Sequence, residues 1–155
     1  MSELKTGDLA PNFNMPTDGG ASVDLSALKG KNVVLYFYPK DDTPGCTTEA
    51  IDFSTLIAEF DAANTVIIGV SKDTVAKHDK FKAKHELKVM LGSDEDGTVL
   101  EAYGVWVLKK LYGREYMGIE RATFLINAGG QIANIWRKVK VKGHAQAVLD
   151  AVHAL

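Results

Sequence analysis

The chain carries one cysteine, Cys46, in the run Phe37-Tyr38-Pro39-Lys40-Asp41-Asp42-Thr43-Pro44-Gly45-Cys46-Thr47-Thr48-Glu49-Ala50. Without a second cysteine an intramolecular disulfide is impossible, and a metal site built on several thiolates is excluded. Two readings of the sulfur remain, a nucleophilic thiolate or a small buried apolar side chain. Thr43 stands three residues earlier. A hydroxyl both donates and accepts, so from there it can hold an oxygen-bearing substrate in line for attack by the sulfur. The same threonine also reads as the cap of a helix.

These residues need elements to position them. Lys31 to Tyr38 is a near-continuous β-branched and aromatic run, the pattern of a strand buried on both faces. Pro39 stops it, and Pro44 with Gly45 shapes a loop. From Thr47 to Phe60, Ala50, Phe53, Leu56, Ile57 and Phe60 recur at spacings of three and four, which predicts a helix with one apolar face. Cys46 then falls in the first helical turn, where unsatisfied N–H groups and the positive end of the helix dipole favour a thiolate. Ligand sites of open α/β sheets gather beyond the carboxyl ends of strands, which is where this loop lies.

Further strands are predicted at Thr65–Val70, Thr123–Ile126 and Gln131–Trp136, the last two joined by a tight turn over Asn127–Gly130. Helices are predicted over Thr74–His85, with Asp73 or Thr74 as N-cap, over a short stretch from Asp96 to Tyr103, and from Gly143 to the end. Arg137 to Lys142 alternates basic residues with Val and reads as an edge strand with one solvated face. His78, His85, His144 and His153 read as solvated residues of polar helix faces, with no third ligand for a metal. The order of elements predicts one α/β domain over residues 1–155, a three-layer sandwich on a central mixed sheet. Thioredoxin-like folds are the best-known small case.

Composition narrows the function. Lys and Arg number 18 against 20 Asp and Glu, a net charge of -2, which argues against nucleic acid as a partner. No stretch approaches the ~20 apolar residues of a membrane span. Met1–Pro11 has no apolar run of signal-peptide length, so the protein is expected to stay in the cytoplasm. A disulfide oxidoreductase would need C-x-x-C, and residue 49 is Glu. A binding module with an inert Cys46 is the alternative from outside enzymology.

The spacing Pro39-x-x-x-Thr43-x-x-Cys46 resembles the active-site motif of the peroxiredoxins, and Phe37–Ala50 resembles their bacterioferritin-comigratory-protein, or Q-type, subfamily. The likeness continues through Gly7–Phe13, similar to the family's opening strand. It extends to Tyr103–Trp106 and Tyr112–Ile119, and to Glu120–Asn127, similar to its arginine-bearing strand. The resemblance implies a thiol-dependent peroxidase with no cofactor, acting on hydrogen peroxide and organic hydroperoxides. It makes Cys46 the nucleophile, Thr43 the group that orients peroxide, Arg121 the cation facing the thiolate, Pro39 a shield and Glu49 an orienting residue. Q-type relatives often carry a second cysteine five residues after the first; here that position is Ile51. The resemblance then implies an external reductant (thioredoxin, glutaredoxin or a small thiol) and favours a monomer over a dimer. It also implies a smaller structural change on oxidation than in two-cysteine relatives.

Overall fold

The uninterrupted apolar run of the first predicted strand has a simple origin: both its faces are covered. Val33, Leu35 and Phe37 enter one core and Val34, Tyr36 and Tyr38 another, all at 1% exposure or less. The protein, a computed structural model describing residues 3–155, is built around this strand.

In chain order the elements are β1 (Asn14–Thr17), β2 (Ala21–Asp24), β3 (Asn32–Phe37), α1 (Pro44–Thr55), α2 (Ile57–Ala62), β4 (Thr65–Ser71), α3 (Val75–His85) and β5 (Met90–Ser93). There follow α4 (Thr98–Ala102), β6 (Trp106–Leu111), β7 (Arg114–Ile119), β8 (Ala122–Ile126), β9 (Ile132–Trp136) and α5 (His144–His153). Seven strands form one sheet in the order β2-β1-β5-β4-β3-β8-β9. β3, β4 and β5 run parallel, while β8 lies antiparallel against β3 and β9 against β8. α1, α2, α3 and α5 bury their apolar residues on one face of the sheet; α4 and the segment around Phe13 cover the other. The sandwich with a central mixed sheet is as the order of elements predicts.

Several boundaries differ, each for a local reason. The helix expected over Thr47–Phe60 starts earlier, at Pro44, whose fixed φ suits the first helical position. It also breaks at Leu56, where ψ opens to 8° and the Leu56 N–H closes on the Phe53 carbonyl instead of continuing the α-helical ladder. The opening strand expected over Gly7–Phe13 is instead β1; Leu9 contributes only an isolated bridge to Gln131. Arg137–Lys142 is not an edge strand. β9 stops at Trp136, Lys138 takes a left-handed φ of 49°, and the Val139 N–H bonds the Arg121 carbonyl. Of the two candidate caps for α3, Thr74 accepts from the Lys77 N–H.

An aromatic contact helps seat α1 on the sheet. The Tyr36 ring stacks on Phe53 of α1 at 4.8 Å between centroids. It fits because its neighbour in β4 is Gly69, where a Cβ would meet the ring at 2.6 Å.

Candidate active site

β3 delivers the chain to the carboxyl edge of the sheet, Pro39 to Thr43 cross it, and α1 leaves from Pro44. The first helical hydrogen bond runs from the Thr47 N–H to the Thr43 carbonyl at 2.8 Å, so the N–H groups of Gly45 and Cys46 precede the ladder. Cys46 sits in this first turn at 2% exposure. Arg121, immediately before β8, donates from Nη2 to Cys46 Sγ at 3.3 Å and from Nη1 to Glu49 Oε1 at 2.6 Å. Gly45 lets the guanidinium lie this close, since a Cβ there would stand 3.3 Å from Nη2. Burial alone would lower the Arg121 pKa, but the charges of Glu49 and Cys46 outweigh it and raise the value, so the cation is fixed.

Glu49 is 1% exposed and its second oxygen, Oε2, is buried without a partner. Burial raises its pKa from 4.5 to about 7; Arg121 pulls it down, and Asp52 on the next turn pushes it up. The folded protein therefore holds this proton more tightly than the unfolded chain. The stabilising effect is complete below about pH 4.5 and is lost as pH rises through about 7. Glu49→Gln fixes the neutral form, so its stability relative to the parent is expected to improve by roughly 2–3 kcal/mol between pH 5 and pH 8. Urea unfolding of both proteins at the two pH values measures this, and an unchanged difference would mean that Glu49 is ionised throughout.

Thr43 takes the N-cap position, but its side chain makes no cap bond. The hydroxyl instead donates to the Lys40 carbonyl at 2.9 Å across the loop, which leaves its oxygen lone pairs able to accept from a substrate hydroxyl. Pro39 ends the strand at an exposed position. Ile51 is 40% exposed on the outer side of α1. Arg121 thus touches both Cys46 and Glu49, while Thr43 and Pro39 share the loop without a hydrogen bond to the sulfur. Among the described residues no cluster of three or more His, Cys, Asp or Glu is arranged to hold a metal.

The histidines correct the sequence reading, for only His153 is solvated. His78 is fully buried, with Nδ1 at 2.6 Å from Asp41 Oδ2 and Nε2 at 2.9 Å from the Gly92 carbonyl. Its spacing was the available signal, because three residues before the buried Phe81 falls on the inner stripe of α3. His85 is half-buried and bonds Asp42 from Nε2 at 2.8 Å. His144 is buried against Phe53 and Trp136, with Nε2 at 2.8 Å from Thr123 Oγ1. Burial, helped by the charge of Arg121, brings the His144 pKa down to about 4, so this ring is neutral and Arg121 is the cation of the site.

Comparison with known proteins gives a consistent picture. The AhpC/TSA family model matches residues 6–135. The chain is 51% identical over 149 residues to peroxiredoxin Bcp of Bacillus subtilis, covering 96% of this chain and 95% of that one. It is likewise 51% identical over 146 residues to a putative peroxiredoxin Bcp of Coxiella burnetii, with 94% and 97% covered. Among solved structures, the bacterioferritin comigratory protein of Xanthomonas campestris, studied for its alkyl peroxide reduction activity, superposes with a TM-score of 0.88 at 48% identity over 92% of this chain and 90% of that one. A cysteine-to-serine mutant of the Xylella fastidiosa Q-type protein gives 0.94 at 39% identity over 99% and 98%. Two different cysteines have been replaced by serine in the Xanthomonas protein, whereas this chain has one.

Proposed function

The chain belongs to the AhpC/TSA family, among its Bcp or Q-type peroxiredoxins, and is a thiol peroxidase; from that premise we propose that Cys46 alone carries the redox chemistry, with Arg121 and Thr43 as its catalytic partners. The observation that carries the assignment is the single guanidinium bonded both to the Cys46 sulfur and to a buried carboxylate.

The Cys46 thiolate attacks one peroxide oxygen and the O–O bond breaks. Sulfur gives up two electrons and becomes sulfenic acid, while the other oxygen leaves with the electron pair, takes a proton and departs as water or an alcohol. Arg121 stabilises the negative charge as it passes from sulfur to the departing oxygen. Thr43, its own proton committed to Lys40, accepts from the peroxide hydroxyl and fixes the approach. A thiol from outside the chain then condenses with the sulfenic acid, releasing water. A second thiol reduces the mixed disulfide and restores Cys46. Organic hydroperoxides join hydrogen peroxide as substrates, by likeness to the Xanthomonas protein, and the reductant is a thioredoxin, a glutaredoxin or a small thiol. The likeness to the Q-type proteins also favours a monomer as the working unit. With Ile51 at a position where Q-type relatives often carry a second thiol, one reason for α1 to unwind during turnover is removed.

Thr43→Val keeps the side-chain shape and removes the acceptor. The bimolecular rate of Cys46 oxidation by hydrogen peroxide, followed by stopped flow, is expected to fall about 10²-fold. A rate within twofold of the parent would remove Thr43 from the mechanism.

A further inference from the structure

The loop that presents Thr43 and Cys46 is held from outside the site. Asp41, in the middle of it, has Oδ1 on the Tyr38 hydroxyl at 2.6 Å and Oδ2 on His78 Nδ1 at 2.6 Å. Its N–H donates to Asp73 Oδ2 at 2.8 Å, and that oxygen also accepts from Ser71 Oγ at 2.7 Å. His78 reaches the loop from α3 and on its far side meets the Gly92 carbonyl of β5. Both ring nitrogens face acceptors, an arrangement that favours the doubly protonated ring although His78 is sealed in the interior. Burial opposes that charge, but Asp41 and the more distant Asp73 outweigh it and raise the His78 pKa. Asp42, the next loop residue, holds a left-handed φ of 61° and is fastened to Lys84 and His85 of the same helix. A non-glycine residue in that conformation costs roughly 1 kcal/mol, so the loop would relax without its fastenings.

We propose that His78 is a positioning residue for the peroxidase reaction: clamped between Asp41 and the Gly92 carbonyl, it fixes the Pro39–Thr43 loop so that the Thr43 hydroxyl meets the peroxide at the right place above Cys46. The inference deepens the reading of Cys46 as nucleophile and rests on it. His78 does not touch the sulfur. Its loss therefore leaves the thiolate and Arg121 in place but displaces the group that orients peroxide.

Two neutral variants separate the two bonds. In His78→Asn the amide nitrogen stands where Nδ1 was and keeps the bond to Asp41; in His78→Gln it stands where Nε2 was and keeps only the bond to Gly92. Each protein is reacted with hydrogen peroxide and, separately, with iodoacetamide, which needs the thiolate but not an oriented O–O bond. His78→Gln is expected to lose at least about tenfold in the peroxide rate while alkylation stays within about threefold, and His78→Asn to keep both rates near the parent's. The inference is overturned if His78→Gln matches the parent with peroxide, if its two rates fall together, or if His78→Asn does no better. Should either variant fail to fold, Asp41→Asn, which weakens the same contact without changing its shape, must show the same split between the two reagents. Failure of the underlying reading looks different: Cys46→Ser would still consume peroxide, whatever His78 does.

Discussion

Cys46→Ser is expected to leave peroxide unconsumed, with thiol-dependent turnover reduced to the level of buffer while the fold persists. The chain has no other sulfur able to pass through sulfenic acid, since methionine sulfoxidation is not reversed by a simple thiol. A serine hydroxyl is a far weaker nucleophile at neutral pH, and neither the helix start nor Arg121 ionises it usefully. The fold should survive because the substitution changes one atom in a first helical turn, where serine is well tolerated. Peroxide consumption with an excess of dithiol, read beside circular dichroism, checks both halves. Mass spectrometry of the parent after one equivalent of peroxide should show one added oxygen, and peptide mapping should place it on Cys46. Retained turnover in the serine variant would mean that the wrong residue has been named.

Arg121→Gln should reduce the bimolecular peroxide rate by about 10²–10³-fold, the usual cost of removing a preorganised group from a developing anion. The guanidinium donates to the sulfur through Nη2 at 3.3 Å, and glutamine supplies neither the charge nor the second donor. Glu49 complicates the single variant, because among the described residues Arg121 is the one side-chain partner of a carboxylate that is otherwise buried. Unpaired, that carboxylate can cost several kcal/mol in stability or take up a proton. The double variant Arg121→Gln with Glu49→Gln removes both charges together. It should fold near parent stability yet remain as slow with peroxide as the single variant. Recovery of the peroxide rate in the double variant would show that Arg121 serves only to neutralise Glu49.

The nucleophile and its immediate frame were readable from the sequence because they lie within fourteen consecutive residues. A buried strand must end where its apolar run meets Pro39, and the apolar spacing that follows marks a helix with Cys46 at its start; that the helix begins as early as Pro44 only the structure showed. The strands β3, β4, β8 and β9 announce themselves by composition, since strands covered on both sides or closed by a tight turn admit few residue types. By contrast β1, β2 and β5 are four residues each, too short to establish a period. The β6–β7 hairpin stands outside the main sheet with Leu108, Leu111, Tyr112, Tyr116 and Met117 exposed, so its pattern points to no single buried face.

What the sequence by itself determined, then, is local: one thiol, the end of one strand, the start of one helix, and the absence of any second thiol. Arg121 entered only through resemblance, for nothing near residue 121 marks it as the partner of a sulfur 75 positions away. Only the folded chain, by laying β8 against β3, brings that guanidinium over α1 and turns Glu49 inward to meet it. His78 and His144 went the same way, from helix faces that look solvated to buried hydrogen bonds with Asp41 and Thr123. The physical reason is common to all of them. A polar side chain is buried when a partner from elsewhere in the chain satisfies it, and that partner is a property of the tertiary structure and not of the residue's neighbours in sequence.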